Sequence, residues 1–512
     1  MRLENMAKNK VWKINQFYGG FALDDKLGLK QQFADTSRNL DIYTEPGKLR
    51  PHKLMVDDET GALDAAISDF WAASDSKIYA IGKVGASGAD KAYARLYVKA
   101  SASVADWTTA ASGTGGAIGQ TRLWEYKDKL YFWGKDDTIY SYGLLSGTPA
   151  IDEAVNTISA ATDFTGPMIE QKDTLFVSYD NHLASFDGTT WTDDAFDLPT
   201  GWKIISLATW GKYVAIGATN SGGYSKISKM FFWDTSATSW EFAKDLPYGE
   251  LMGFRNVGDR ITGISFIDSF HASERIGISI WEWTGGTVNV VHRHNKVGAS
   301  IVSADRIKDS EIDVKDNVFY FAANLKGTYR GLYSWGEPIP GQKAFTFDRH
   351  LRTTTSTVSL VRAVKFIGPF LFCSLVDSSS GTDYIITKTT NTINHGTATA
   401  DGGIYDTLIF DGGEEYRTKE IDRIILNSKP LPTNTSITLY MKADRASSWT
   451  TVGTWTTATD TQKSFYDMNG STFDKFKELQ LRINIKTTAT SSGTPEITGI
   501  TTLYRELSIP ND

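Results

Sequence analysis

The chain has few of the features that build disulfides, membrane spans or secretion signals. Cys373 is the only cysteine among 512 residues, which excludes an internal disulfide and a cysteine-rich zinc site. A cysteine-poor chain of this kind is expected to fold in a reducing cytoplasm. Apolar residues nowhere run together for roughly 18 positions, so no membrane-spanning helix is predicted. No apolar segment follows the early charges of residues 1–17, so no signal peptide is predicted.

Positive charge is not in excess either. The chain has 53 Lys and Arg against 60 Asp and Glu, a formal net charge of −7. Surfaces that hold nucleic acid or anionic lipid need clustered cations, so this balance argues against such a surface and suits a protein past which DNA slides. The hydrophobic content of 41% supports substantial cores. The length predicts two domains, or one large all-β body with an appendage.

Aromatic residues, by contrast, are plentiful and occur in short runs. The stretch KLYFWGKDDTIYSYG, residues 129–143, carries five rings in a strand–turn–strand pattern. Aromatic runs separated by Gly, Asp and Lys turns favour β-strands. Such a stretch is either a ligand-binding aromatic patch or one copy of an architectural repeat.

The same pattern recurs along the chain, which favours the second interpretation. One turn residue can be aligned in each copy, namely Asp75, Asp128, Asp173, Gly211, Gly258, Asp316 and Gly368. Their mean spacing is about 49 residues. A period of roughly 40 to 50 with three or four strands per unit is typical of a β-propeller, so about seven blades are predicted. The rings are then expected to fill the space between neighbouring blades.

The two ends of the chain depart from this repeat. Residues 1–60 are predicted to form an N-terminal arm that either adds a closing strand to the last blade or packs on a neighbouring subunit. Residues 61–400 are predicted to form the propeller. Residues 401–512 alternate strands with Pro-, Asn- and Thr-rich turns, which predicts an antiparallel β-sandwich of jelly-roll type with one short helix at residues 473–478.

One short motif resembles a known turn device. Residues 185–191, SFDGTTW, resemble the Asp-box of sialidase-type propellers, although the glycine comes one position early. Asp-boxes form turns and are not catalytic. A sialidase would also need an arginine triad and a tyrosine nucleophile, which spacing does not identify here. Carboxylate pairs for glycoside hydrolysis stay open, because they would come from different blades.

The other candidate sites are weak. His292 and His294 stand at i and i+2, so a strand would place both on one side, either as two metal ligands or as two polar residues facing solvent. Residues 411–415 (DGGEE) are expected to form a solvated turn and not a calcium loop, since the alternating ligands are missing. Residues 349–352 (RHLR) are too short for a nucleic-acid site. The remaining histidines carry no pattern: His52, His182, His271, His350 and His395. No catalytic, cofactor or metal residue is predicted.

Two terminal stretches carry a resemblance to a family. Residues 476–507, FKELQLRINIKTTATSSGTPEITGITTLYREL, look like the ending of many tailed-phage virion proteins in which a sandwich follows a propeller. Residues 39–55, NLDIYTEPGKLRPHKLM, are similar to the beginning of the same proteins. The chain therefore resembles the nozzle or tail-hub proteins of short-tailed phages.

This resemblance implies a structural virion protein without enzymatic activity. Such proteins assemble as rings, typically hexamers, below the portal–adaptor complex and form or gate the channel for DNA ejection. The expected partners are other copies of the chain, portal, adaptor and tail-fibre proteins, and genomic DNA in passage. Two alternatives remain: a receptor- or carbohydrate-binding tail component, with Trp449 and Trp455 as candidate exposed contacts, and a polysaccharide-degrading enzyme.

Overall fold

A computed structural model describes residues 9–507 except 21–32, 54, 60–62, 85–92, 104–105, 113–120, 136, 159–165, 221–225, 269–274, 295–308, 327–328, 350–357, 378–383, 391–401, 415 and 488–490. The described residues form β-strands joined by turns, with one 3-10 turn at Asp309–Glu311. The chain is therefore all-β, as predicted.

The described residues of the first half of the chain form nineteen strands. They are β1 (Lys10–Ile14), β2 (Ala34–Arg38), β3 (Met55–Asp57), β4 (Ala65–Ala72), β5 (Ile78–Val84), β6 (Tyr93–Lys99), β7 (Thr108–Ser112), β8 (Trp124–Tyr126), β9 (Lys129–Lys135), β10 (Thr138–Gly143), β11 (Ala150–Thr157), β12 (Met168–Gln171), β13 (Thr174–Tyr179), β14 (His182–Phe186), β15 (Trp191–Asp197), β16 (Trp202–Trp210), β17 (Tyr213–Asn220), β18 (Ser228–Trp233) and β19 (Phe242–Asp245).

The described residues of the second half form the other strands. They are β20 (Glu250–Val257), β21 (Arg260–Asp268), β22 (Arg275–Trp283), β23 (Asn289–His294), β24 (Ile312–Lys315), β25 (Val318–Lys326), β26 (Tyr329–Ile339), β27 (Gln342–Arg349), β28 (Val358–Ile367), β29 (Phe370–Asp377), β30 (Tyr384–Thr389), β31 (Gly403–Thr407), β32 (Lys419–Ser428), β33 (Thr435–Ala443), β34 (Thr450–Trp455), β35 (Gln462–Phe465), β36 (Leu479–Thr487) and β37 (Ile497–Glu506).

The chain divides into two compact units, each built from separated stretches. The terminal unit contains residues 1–55, 332–355 and 390–512, and the repeat unit contains residues 56–331 and 356–389. Residues 332–355 thus cluster with the terminal unit, although they lie inside the range predicted for the propeller. The three-part division at residues 60 and 400 stays a prediction.

Four-stranded antiparallel sheets make up most of the repeat unit. Five of them use four consecutive strands each, from β4–β7 through β8–β11, β12–β15 and β16–β19 to β20–β23. The sheet of β28, β29 and β30 takes β3 as its fourth strand, which is one of the two roles predicted for the N-terminal arm. First strands contact one another in order from β8 to β28, and β28 contacts β4. The rings of Trp71 on β4 and Trp124 on β8 link the remaining two first strands. This closed series of sheets is consistent with a β-propeller.

The aligned turn residues lie where the repeat places them. In six of the seven copies a two-residue turn joins the first two strands of a sheet or hairpin. Both turn residues have positive φ at Lys127–Asp128, Lys172–Asp173 and Asp316–Asn317, whereas only the leading glycine does at Gly211, Gly258 and Gly368. These are the tight turns that match the twist of a hairpin. In the first copy a longer turn runs from residue 73 to 77, and Ser76 has the positive φ.

The rings of residues 129–143 fill the space between sheets. Tyr131 and Trp133 belong to a hydrophobic cluster shared with β12 and β13, whereas Phe132 and Tyr140 belong to one shared with β5 and β6. Each of these four rings is at most 3% exposed. Strand β9 is thus buried on both faces, which explains its nearly continuous apolar sequence.

Asp58 follows β3 directly and joins the first and last four-stranded sheets. Its Oδ2 lies 2.5 Å from Lys99 Nζ on β6, and its Oδ1 lies 2.5 Å from Lys388 Nζ on β30. Trp107 Nε1 also donates to Asp58 Oδ2, over 3.1 Å. The side chains of Asp58 and Lys99 are fully buried. Burial lowers the pKa of Lys99, although the Asp58 carboxylate opposes this.

In the terminal unit, two sheets share one hydrophobic core. One sheet has the order β1-β37-β32-β35, and the other includes the run β27-β2-β31-β36-β33-β34. Trp12, Ile14 and Phe17, from the N-terminal stretch, belong to the same cluster as strands β32 to β37. The core of the terminal unit therefore needs both ends of the chain.

Residues 473–478 do not form the predicted helix. Phe476 instead exchanges two backbone hydrogen bonds with Lys419, at 2.7 and 3.0 Å. Phe473 and Phe476 are both buried in the core of the terminal unit. The pairing with Lys419 and the burial of both rings hold the segment extended, and they outweigh the local helical pattern of the segment.

Candidate functional site

The repeat unit contains a cavity of about 610 Å³. The first strand of each repeat contributes residues to the lining of this cavity. These strands are β4, β8, β12, β16, β20, β24 and β28. The lining residues lie near the ends of these strands, close to the tight turns. Cavities of this size are typical of small-molecule sites.

Asp309 forms the charged centre of this cavity. Arg255 binds it with Nη1 2.5 Å from Oδ1, and Arg122 places Nη2 3.1 Å from Oδ2. The Ser206 hydroxyl donates to Oδ1 over 2.6 Å. Arg122 also approaches Asp69, with 3.5 Å between Nε and Oδ2. Two arginines and two aspartates from four parts of the chain thus form one ion-pair network.

The electrostatics of this network keep Asp309 ionised. Burial opposes the charged carboxylate, but the charges of Arg255 and Arg122 outweigh burial and hold the Asp309 pKa below its usual value. Burial likewise opposes the Arg255 charge, and Asp309 outweighs it, so the Arg255 pKa is raised. Asp309 is therefore no proton donor near neutral pH, which makes it unsuitable as the general acid of a glycosidase.

Two half-buried tryptophans form one wall of the cavity. Trp71 on β4 and Trp124 on β8 have ring centroids 5.0 Å apart at an interplanar angle of 50°. Trp71 Nε1 donates to Glu125 Oε2 over 3.1 Å, which fixes the ring orientation. Lys365 Nζ lies 5.8 Å from the Trp71 ring centroid and 3.9 Å from Asp313 Oδ1.

The sequence reasoning missed these residues because they come from separate repeats. A usable signal was present: Trp71, Trp124, Arg255, Asp313 and Lys365 each stand three or four residues before an aligned turn residue. Collecting the chemically distinctive residues at that offset would have singled them out.

The Asp-box-like stretch forms a turn between β14 and β15. The Asp187 carboxylate accepts hydrogen bonds from the backbone of Thr189 and Thr190 at 2.7 and 2.8 Å, and from the Thr189 hydroxyl. These bonds, led by the one from the Thr189 hydroxyl, lower the pKa of Asp187 to about 2. The role is a turn device, as the sequence predicts.

His292 does not face solvent, which corrects one of the two interpretations of the histidine pair. It is only 5% exposed on β23, and burial followed by the nearby His294 lowers its pKa to about 3. His292 is thus neutral at physiological pH. A buried strand position, with Ile280 as its cross-strand partner, explains this placement.

The structure places two aspartates beside His182, although the sequence shows no pattern around this residue. Its Nδ1 lies 2.6 Å from Asp197 Oδ1 and 3.3 Å from Asp194 Oδ1, and these three residues have the spacing to hold a metal ion. The three are brought together across the β14–β15 hairpin, where His182 pairs with Asp197. Tyr179 stacks on the His182 ring at 5.0 Å. Cross-strand register was the signal that would have found them.

The other sequence candidates have structural roles or lie outside the described residues. Residues 411–414 form a turn in which Asp411 accepts from the Gly413 amide over 2.8 Å, whereas residue 415 is not described. Trp455 is not exposed but lies in the core at 1% exposure. Trp449 lies between Lys442 and Arg482, at 4.7 and 4.4 Å from its ring. Of residues 349–352, only residue 349 is described, as part of a strand. His271, His350 and His395 lie outside the described residues.

Within the part of the chain that the structure describes, no helix is long and apolar enough to span a membrane.

Comparisons with known proteins give the chain no family. No protein-family model matches it, and no curated protein matches it. Among solved structures, the β-propeller domain of the Trilobed protease from Pyrococcus furiosus aligns with a TM-score of 0.38 and 10% identity, over 64% of this chain and 96% of that one. Trypanosoma rangeli sialidase aligns with a TM-score of 0.36 and 10% identity, over 94% of this chain and 96% of that one. TM-scores below 0.5 at such identities carry no argument about function.

Proposed function

We propose that this protein is a non-enzymatic structural component of a phage tail, of the nozzle or tail-hub type. One observation carries the proposal. The two stretches that resemble such proteins, residues 39–55 and 476–507, come from opposite ends of the chain and pair with each other in the terminal unit. The resemblance therefore covers a single structural module and not two unrelated patterns.

The pairing between these stretches is specific. Leu49 and Ile497 exchange two backbone hydrogen bonds, at 2.9 and 3.0 Å. Glu496 beside them lies 3.2 Å from Lys48 Nζ and 2.6 Å from Lys429 Nζ. Burial opposes the charge of Glu496, but these lysines outweigh it and lower the Glu496 pKa. An ionised Glu496 thus ties the beginning of the module to its end at neutral pH.

The finer architecture belongs to the same proposal. Seven first strands around one cavity support a propeller of seven blades, with the last blade closed by β3. Two sheets around one core, antiparallel except for the parallel β27–β2 pair, support a jelly-roll-like sandwich for the terminal unit. Copies of the chain assemble as a ring, a hexamer by analogy with the nozzle proteins, below the portal–adaptor complex. Tail fibres are further partners.

The charge of the chain suits a channel component. With a net charge of −7, a ring of several copies is strongly acidic, so genomic DNA passes without being held by cation clusters. The low pKa of Asp309 argues against this residue as the general acid of a glycosidase. In this proposal the chain is made in the host cytoplasm and built into the virion.

Assembly of the full-length protein tests the proposal. Size-exclusion chromatography with light scattering and negative-stain imaging are expected to reveal closed rings, either of the protein alone or after mixing with its cognate portal–adaptor complex. A gel-shift assay at low salt is expected to detect no retention of linear DNA. A protein that stays monomeric with the portal–adaptor complex, or that depolymerises a polysaccharide, would contradict the proposal.

A further inference from the structure

We propose that the cavity of the repeat unit binds a neutral saccharide. This site goes beyond the structural role proposed above, and its ligand class follows from the charge balance, the aromatic wall and the polar rim of the cavity.

The charged residues of the lining cancel one another. Four acidic residues face four basic ones: Asp69, Glu170, Asp309 and Asp313 against Arg122, Lys172, Arg255 and Lys365. The two arginines bind Asp309, Lys365 lies 3.9 Å from Asp313, and Lys172 lies 2.7 Å from Asp234. An anionic ligand would have to draw one of these cations away from its carboxylate and leave that carboxylate poorly compensated. An uncharged polar ligand leaves them intact.

The tryptophan wall provides an apolar contact inside this polar cavity. The ring faces of Trp71 and Trp124 carry partial negative charge, whereas the C–H groups on one face of a pyranose carry partial positive charge. The hydrogen bond from Trp71 to Glu125 holds the wall in place before any ligand arrives, so little side-chain entropy is lost on binding. Stacking on a fixed indole and hydrogen bonding around it is the combination that a sugar ring satisfies.

Neutral hydrogen-bonding groups complete the rim. Gln171 donates to the Gly211 carbonyl over 2.9 Å, and Asn256 donates to the Thr209 carbonyl over 2.9 Å. Each amide is thereby oriented, with its side-chain oxygen left to accept from a hydroxyl. The second N–H of each amide group remains to donate to a hydroxyl oxygen. Donors and acceptors are thus both available, as hydroxyl groups require.

Saccharide binding by the full-length protein tests the inference. The probes are neutral hexasaccharides of glucose, mannose, galactose and N-acetylglucosamine, with sialyllactose and oligogalacturonate as charged counterparts. Saturation-transfer NMR and tryptophan fluorescence are expected to detect at least one neutral probe at millimolar concentration. The corresponding monosaccharide separates the two possible sources of the ligand: equal affinity identifies a free sugar, and weaker affinity identifies a polysaccharide chain.

Matched tryptophan variants locate the site. Trp124→Ala is expected to weaken binding of the neutral probe by about tenfold, which corresponds to the loss of one aromatic stacking contact. Trp124→Phe keeps a ring and is expected to lose less. Trp240→Ala removes another half-buried indole, which packs on Phe196 and Phe231 away from the cavity, and is expected to leave binding unchanged. Thermal melting checks that all three variants are folded.

Two results would overturn the inference. One is the absence of any response to the whole neutral panel, or a response to the charged probes alone. The other is neutral binding that Trp240→Ala weakens as much as Trp124→Ala does, or that both cavity variants leave intact while they remain folded.

Discussion

Strand β9 illustrates how single residues hold the repeat unit together. Tyr131 faces the β12–β15 sheet, where its ring lies 5.7 Å from Phe186 and 6.4 Å from Trp191. Phe132, the next residue, faces the opposite sheet. Burial raises the pKa of Tyr131 to about 12, so the hydroxyl stays neutral at any physiological pH.

Tyr131→Ala is therefore expected to lower the free energy of unfolding by about 3–5 kcal/mol, because it opens a cavity between two sheets. Urea unfolding followed by tryptophan fluorescence measures the change. Tyr248→Ala is the matched control, since Tyr248 is 44% exposed and its loss should change stability little. Equal, small effects of the two substitutions would contradict the packing role of the ring.

Asp309 shows how a buried charge depends on its partners. Asp309→Asn leaves Arg255 and Arg122 without their shared carboxylate, and at neutral pH this is expected to cost about 3–5 kcal/mol of stability. Asp245→Asn changes an exposed aspartate and serves as the control, with little loss expected.

The stability difference between wild type and Asp309→Asn is also expected to depend on pH. Since the folded pKa of Asp309 lies below its ordinary value of 3.8, its contribution is fully present above pH 3.8 and is lost as the pH falls through the lower folded value. Wild type and Asp309→Asn are therefore expected to converge in stability as the pH is lowered below 3.8. A difference that stays constant between neutral and acidic pH would show that the carboxylate charge is not responsible.

Among the elements, the tight turns were the most predictable part of the fold. Six of the seven aligned turn residues lie in two-residue turns, because such turns demand glycine or residues that tolerate positive φ, and this demand is visible locally. The closing role of β3 was left open between two alternatives. A three-residue strand that pairs with a segment more than 300 residues away leaves no local pattern.

The ion pairs of Asp58 are expected to hold strand β3 in place as the fourth strand of its sheet. Asp58→Asn leaves Lys99 buried without its counter-ion and should cost about 3–5 kcal/mol, whereas Asp259→Asn, at an exposed position, should cost little. Chemical unfolding measures both. Replacing Lys99 and Lys388 by Met together with Asp58→Asn is expected to recover part of the loss, because no uncompensated cation remains. If the triple variant is less stable than Asp58→Asn alone, the buried cations are not the cause of the loss.

At the scale of the whole molecule, the sequence predicted the all-β class and the repeat. It did not predict which residues far apart in the chain lie close together in the fold. The cavity residues stand about one repeat apart, so only the closed series of first strands brings them together. The pairing of the N-terminal strands with the C-terminal ones was not predicted, for a similar reason. Strand β1 pairs with β37 and β2 pairs with β31, at separations that no periodicity in the sequence reports.

The composition of the terminal unit leads to a prediction about fragments. Trp12 stacks on Phe410 with centroids 4.4 Å apart, and Phe17 meets Tyr405 edge-on at 5.2 Å. A fragment of residues 401–512 lacks β1, β2, Trp12 and Phe17, so it exposes the edges of β37 and β31 and part of its core. We expect this fragment alone to show no cooperative thermal transition by circular dichroism.

Fusing residues 1–55 to the same fragment through a flexible linker is expected to produce a cooperative transition and dispersed amide NMR signals. Trp12→Ala in the fusion should lower its melting temperature, whereas Val11→Ala, at a neighbouring position that is 58% exposed, should not. Cooperative folding of residues 401–512 by themselves would instead support the independent C-terminal domain predicted from the sequence. Residues 1–55 would then pack on the surface of a core that forms without them.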